Sequence, residues 1–174
     1  VNVLCVDKTG TITENKMSVA DIIPLDTDEG NKSEDFPGYS NVHEMIGNLV
    51  SSLNCDNATI EALKEYFTRE PSMTAEMIYS FSSETKYSGA VMADGKNLVL
   101  GAPEKLLLED YSHYKDEIVS LSSRGFRVLI FGIYEGVLDG KPLSRPVKPL
   151  AIVTMWNAIR PEARATFQYF KDQG

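Results

Sequence analysis

Two hydrophobic periods alternate along this chain, one helical and one of strand type, and together they predict a mixed architecture. Val42, Met45, Ile46, Leu49, Val50 and Leu53 recur at helical spacing, with Ser40 or Asn41 placed to cap the first turn. A second helix is predicted over residues 59–68, burying Leu63 and Phe67. Residues 77–81 read as a strand. Residues 87–93 and 97–101 flank Asp94-Gly95, the strongest hairpin signal in the sequence. Pro103 opens a helix through residue 108, and a further helix over residues 113–124 is stopped by Gly125. Residues 127–134 and 149–156 are apolar enough for buried strands, and residues 161–173 form a helix with Pro161 at its first position. Near the other end, Val3-Leu4-Cys5-Val6 is a short apolar run of strand character. Residues 26–41, rich in Asp, Glu, Gly, Ser and Asn, read as a solvated loop.

The fold class that follows is α+β, a central antiparallel sheet flanked by helices and bracketed by a strand at each end of the chain. Such bracketing suggests a central domain inserted between two pieces of a parallel α/β domain. The 174 residues give room for one ordinary domain, or for one domain plus fragments of another, and a hydrophobic content of 43% is enough for a real core. No apolar run approaches the roughly 18 residues needed to cross a bilayer, and the run before Asp7 is too short for a signal peptide. A net charge of −8 disfavours nucleic acid or an anionic membrane surface as the main partner. Any anionic ligand must then be met by a few local cations. Cys5 and Cys55 stand far apart without a second close Cys or His, and read as reduced thiols, not metal ligands.

Candidate chemistry starts where the first apolar run ends. Residues 7 to 13 read Asp-Lys-Thr-Gly-Thr-Ile-Thr, so a short strand delivers a carboxylate into a hydroxyl-rich turn. An Asp placed there can attack phosphorus and carry the phosphoryl group as an acyl phosphate. The surrounding hydroxyls and turn amides can hold phosphate oxygens and a hydrated Mg²⁺. The plainer reading is a polar turn at a sheet edge. The run Asp7 to Thr11 resembles, without a gap, the phosphorylation signature of the P-type ATPases, cation pumps that form an aspartyl-phosphate. That resemblance implies Asp7 as nucleophile, Lys8 and Thr9 as its catalytic neighbours, and Asp7 and Thr9 as contacts of Mg²⁺. Thr9 stands where related phosphatases use an acid–base Asp. A hydroxyl transfers that proton poorly, which fits a long-lived aspartyl-phosphate.

The middle of the chain carries further segments similar to the family's nucleotide-binding domain. Phe81-Ser-Ser-Glu-Thr-Lys86 resembles its Phe-Ser-x-x-x-Lys stretch, implying that Phe81 stacks on adenine and Lys86 lies in the pocket. Taken alone, a Phe at a strand end is more often core. Arg127 matches an arginine that reaches the nucleotide phosphates; its plainer reading is a strand-end Arg paired with a carboxylate. Gly101-Ala-Pro-Glu104 resembles the family's Lys-Gly-Ala-Pro-Glu loop, which comes close to the nucleotide. Leu100 replaces the lysine. One lost charge-assisted contact costs about 1.5–3 kcal/mol, so weaker ATP binding than in a lysine-bearing relative is expected. Asn57-Ala-Thr59 resembles another nucleotide-facing segment and implies a contact at Thr59, but it reads equally as a helix start capped by Thr59. Asn157-Ala-Ile-Arg160-Pro-Glu resembles the family's Asp-Pro-x-Arg-Pro-Glu hinge. Arg160 is thereby implied near ribose and phosphate, or is a helix-start residue with no ligand.

The resemblance implies three segments. Residues 1–19 and 151–174 would be fragments of a haloacid-dehalogenase-like phosphorylation domain, and residues 20–150 a nucleotide-binding domain. The function implied is the ATP-binding and phosphorylation-site part of an ATP-driven cation pump, using ATP and Mg²⁺. The chain would work with transmembrane and actuator domains at the cytoplasmic face of the membrane, and be soluble by itself. The alternatives are a soluble haloacid-dehalogenase-type phosphatase or phosphotransferase, and a non-catalytic nucleotide-binding module.

Overall fold

The computed structural model describes residues 12–25 and 38–173; the strand predicted at residues 3–6 and most of the loop predicted at residues 26–41 lie outside them. Six strands form one sheet: β1 Thr13–Pro24, β2 Ala75–Tyr79, β3 Tyr87–Met92, β4 Asn97–Gly101, β5 Arg127–Ile133 and β6 Lys148–Ile159. Their order is β1-β6-β5-β4-β3-β2, with every neighbouring pair antiparallel. The helices are α1 Val42–Ser52, α2 Ala58–Tyr66, α3 Pro103–Leu106, α4 Tyr111–Ser123 and α5 Pro161–Gln173. The central antiparallel sheet flanked by helices is therefore observed.

Each face of the sheet buries its own core. On one side Met45, Ile46, Leu49, Leu63 and Ile60 of α1 and α2 pack on Leu98, Leu100, Leu129, Phe131 and Val153. On the other, Leu106, Ile118 and Leu121 cover Tyr87, Val99, Val128, Ile130 and Ile152. Strand residues with neighbouring numbers divide between the two sides, as the pleat requires. The Asp94-Gly95 turn joins β3 to β4 with Gly95 at φ +82°, a conformation that costs glycine little.

Helix α1 is started by a reciprocal cap. The Asn41 side chain accepts from the Glu44 amide at 2.9 Å, while the Glu44 carboxylate accepts from the Ser40 amide at 2.6 Å. One turn on, buried Asn48 ties down the chain before β2. Its Oδ1 accepts from the Ser72 amide at 2.9 Å and its Nδ2 donates to the Ser72 hydroxyl at 3.0 Å.

Several local expectations need correction. Helix α2 begins at Ala58 and is capped by Asn57, whose side chain accepts from the amides of Thr59 and Ile60 at 3.0 and 3.1 Å. Thr59 is already inside the first turn, too late to cap. Strand β2 ends at Tyr79, which releases Phe81 into the following loop. Helix α3 closes at Leu106 and gives way to a 3₁₀ turn over Leu108–Asp110, with Leu108 at φ +46°.

Strand β1 was not foreseen, and its register explains why. Between Thr13↔Ile159 and Met17↔Asn157 it advances four residues against two, and a second shift lies between Val19 and Asp21. Its inward side chains thus run Met17, Val19, then Ile22, and the period of two is broken. The proposed segment limits at 19/20 and 150/151 fall inside β1 and β6, which pair with each other.

Candidate functional site

On the α1–α2 side, at the end of the sheet where β3 and β5 start and β4 finishes, lies a cleft of about 500 Å³. Thr59, Phe81, Lys86, Gly101 and Arg127 all line it. Five residues picked from four separate stretches of sequence are thus brought together. Arg160 does not line the cleft. Its amide donates to the Ile12 carbonyl at 2.9 Å and its Nε to the Thr13 carbonyl at 3.2 Å, across the open end of the β1–β6 pair. Asp7, Lys8 and Thr9 lie outside the described residues.

The segment carrying Phe81 and Lys86 is a closed turn. The Ser82 and Thr85 hydroxyls are 2.7 Å apart, the Thr85 amide donates to the Ser82 hydroxyl at 3.1 Å, and the Lys86 amide donates to the Ser82 carbonyl at 2.8 Å. Lys86 itself sits at φ +55°, a left-handed conformation costing a non-glycine residue about 1 kcal/mol. The fold holds it there. The Lys86 carbonyl accepts from the Ala102 amide at 2.9 Å, and the next residue, Tyr87, pairs in register with Gly101. A Cβ on Gly101 would meet the Lys86 carbonyl oxygen at 2.5 Å and the Tyr87 Cβ at 2.6 Å. The close approach that the glycine permits is that of the Lys86 and Tyr87 backbone. Below the turn, the Tyr87 hydroxyl donates to the Lys141 carbonyl at 2.7 Å, and burial pushes the phenol up to about 12.

The rim is aromatic and cationic. Phe81 is 41% exposed at the edge of the cleft, with its ring face open to a stacking partner. Lys86 and Arg127 are exposed, and among the described residues neither forms an ion pair. The paired-arginine reading of Arg127 therefore has no partner among the described residues. The α2 N-terminus faces the same space and adds its positive dipole end. Thr59 turns its hydroxyl toward the Met17 sulfur at 3.7 Å. The floor is apolar where Ile60, Leu100 and Leu129 meet, so the missing lysine at residue 100 is filled by a core side chain that is 3% exposed.

Sequence reasoning missed two residues here, Asn57 and Ser88. Asn57 was visible as an Asx residue before a helical pattern. Ser88 gave no signal beyond a hydroxyl inside an apolar strand. At residue 157, where the family pattern has Asp, the Asn157 amide donates to the Glu14 and Lys16 carbonyls at 3.3 and 3.2 Å. A carboxylate could not make those bonds.

A second hollow of about 410 Å³ lies between α1, the end of α2 and the chain over residues 68–71. His43, Tyr66 and Phe67 form an aromatic group beside it, with ring centroids 5.1–6.0 Å apart.

The chain matches no protein-family model. It is 34% identical over 173 residues, 99% of its length, to the calcium-transporting ATPase CtpE of Mycolicibacterium smegmatis, and covers 20% of that protein. It is 29% identical over 99% of its length to the probable cation-transporting ATPase exp7 of Streptococcus pneumoniae, covering 21% of it. It thus spans about a fifth of the length of these curated relatives. A crystal structure of a zinc-transporting PIB-type ATPase in the E2.Pi state superposes with a TM-score of 0.60 at 17% identity, over 96% of this chain and 23% of that one. That likeness shows the fold. Similarity to P-type cation-transporting ATPases thus runs along nearly the whole of this chain, which corresponds to one segment of those proteins.

Proposed function

We propose that this chain is the nucleotide-binding part of an ATP-driven cation pump, with the cleft as its ATP site. The observation that carries the reading is the convergence of Thr59, Phe81, Lys86, Gly101 and Arg127 on one cleft, with the two cations unpaired among the described residues. The base stacks on Phe81, and Lys86 and Arg127 meet the phosphates. A volume of about 500 Å³ suits a nucleotide-sized ligand.

In the parent protein, a carboxylate oxygen of Asp7 attacks the γ-phosphorus. The bond to the β–γ bridging oxygen breaks, ADP leaves, and Asp7 carries the phosphoryl group. Thr9 beside it is a poor proton shuttle, which lengthens the life of that intermediate. Mg²⁺ is assigned to the nucleotide phosphates with Asp7 and Thr9. Among the described residues no group of three or more His, Cys, Asp or Glu could hold a metal. Residues 1–19 and 151–174 belong in this reading to the phosphorylation domain, and residues 20–150 to the nucleotide domain. Arg160 then works at the hinge between them. No helix among the described residues is long and apolar enough to cross a membrane. Membrane and actuator domains of the parent would carry the ion and the dephosphorylation step, with this part on the cytoplasmic side.

ATP titrations of the parent chain and of Phe81→Ala test the reading. Loss of the stacking ring is expected to weaken binding about five- to tenfold. An equal response from both proteins would remove the adenine platform.

A further inference from the structure

The left-handed backbone at Lys86 is held from outside the cleft as well as from within it. Tyr87, the next residue, does not line the cleft; it lies in the core on the α3–α4 side and is 1% exposed. Its hydroxyl reaches the β5–β6 loop, residues 134–147, and donates to the Lys141 carbonyl at 2.7 Å. That loop is itself braced. The Asn97 side-chain amide donates to the Tyr134 and Gly136 carbonyls at 3.2 and 2.7 Å, and the Val147 amide donates to the Leu106 carbonyl at 2.9 Å. The Lys141 amide donates to the Asp139 carboxylate at 3.1 Å, and Gly140 between them turns at φ +78°. The phenol is thus fixed to a loop on the far face of the sheet, while its backbone borders a cation of the near face.

A non-glycine residue at φ +55° relaxes to the right-handed or extended region unless its surroundings forbid it. Two of the restraints on Lys86 are its own backbone hydrogen bonds to Ser82 and Ala102. A further one is Tyr87. Its Cα and Cβ lie against Gly101 with no spare room, 2.7 and 2.6 Å from where a Cβ there would stand. Any shift of the Tyr87 ring is therefore passed back to the Lys86 torsions. Resting on the nucleotide reading above, we infer that Tyr87 is a positioning residue: anchored on Lys141, it holds Lys86 in the conformation that keeps its ammonium at the phosphates. Tyr87 touches no ligand itself. Without the anchor Lys86 relaxes and its side chain swings away, so the phosphates lose one cation while the base keeps Phe81. The β5–β6 loop is thereby tied to phosphate affinity from the opposite face of the sheet.

The test is equilibrium binding of ATP, and of adenosine, which lacks phosphates, to the parent chain, Tyr87→Phe, Lys86→Gln and the double variant. Tyr87→Phe keeps the buried ring and removes only the hydrogen bond. It should weaken ATP about fivefold and leave adenosine unchanged. Lys86→Gln should weaken ATP about tenfold, and adding Tyr87→Phe to it should change nothing more, the non-additivity of two residues acting through one contact. Gly140→Ala strains the loop from its exposed end, and should weaken ATP about threefold in the parent chain and not at all in Tyr87→Phe. Equal weakening of ATP and adenosine by Tyr87→Phe, full additivity with Lys86→Gln, or an effect of Gly140→Ala that persists in Tyr87→Phe would make Tyr87 merely structural and overturn the inference. If Tyr87→Phe binds ATP like the parent chain while Phe81→Ala and Lys86→Gln weaken it, the nucleotide site stands and the role of Tyr87 falls. If no nucleotide binds the parent chain, both fall.

Discussion

The two hollows on the α1–α2 side differ less in size than in what their polar groups are doing. In the smaller one, the Glu44 carboxylate accepts from the Ser72 hydroxyl and the Ser40 amide, and Asn48 is bonded on both its amide atoms. These bonds hold the chain before β2 in place, while the charged Arg69 and Glu70 side chains that also line the hollow form no ion pair among the described residues. In the larger cleft, a buried hydroxyl, two rim cations and a half-exposed ring are left unanswered. Volume does not separate a binding site from a structural gap. Unsatisfied chemistry aimed inward does, because folding alone would not retain it.

The comparison can be broken most forcefully at Asn48. Asn48→Ala removes the acceptor of the Ser72 amide, while the Ser72 hydroxyl keeps Glu44, and it empties a buried site; it is expected to cost about 3 kcal/mol of unfolding free energy in denaturant titration. ATP affinity of the folded fraction should stay at the parent level. A matching loss of affinity would make the smaller hollow part of the binding site. Gly101→Ala probes the cleft itself. The new Cβ drives the Lys86 carbonyl aside, so stability should fall by about 2 kcal/mol and ATP affinity should fall with it. Unchanged affinity at reduced stability would detach Lys86 from the ligand. The smallest effect is in acid. Hydrogen bonds from the Ser72 hydroxyl and the Ser40 amide hold the Glu44 carboxyl below its ordinary 4.5. That stabilisation is complete above pH 4.5 and fades as pH falls through the lower folded value. Glu44→Gln should flatten this part of the stability–pH curve, and a curve unchanged by the substitution would contradict the assignment.

Much of this molecule was legible because its signals are local. Asp94-Gly95 between two apolar runs, Pro103 and Pro161 at helix starts, and Gly125 after α4 each act within a few residues. Strand β1 was illegible for the opposite reason, since its two register shifts are settled by β6, far away in sequence. The site divides along the same line. Phe81, Lys86, Gly101 and Arg127 stood out through short motifs. Ser88 looked like any small residue in a buried strand, because what marks it is a missing partner, and that exists only once the chain is folded. Gly101 was recognised, but the contact that needs it, Lys86 against its backbone, depends on the β3–β4 register.

The β1–β6 pair also sets how the cleft-bearing body responds to force. A pull at Thr13 and Ile159 loads the ribbon at one end, so its rungs part in succession and not all together in shear. The bulge nearest that end has already given up regular rungs, and the Asn157 amide and Arg160 guanidinium bridge the gap to β1 carbonyls. They act as stitches at the mouth of a zip. Traction therefore peels this connection rung by rung, beginning at the end where the Asn157 and Arg160 bonds to β1 are made.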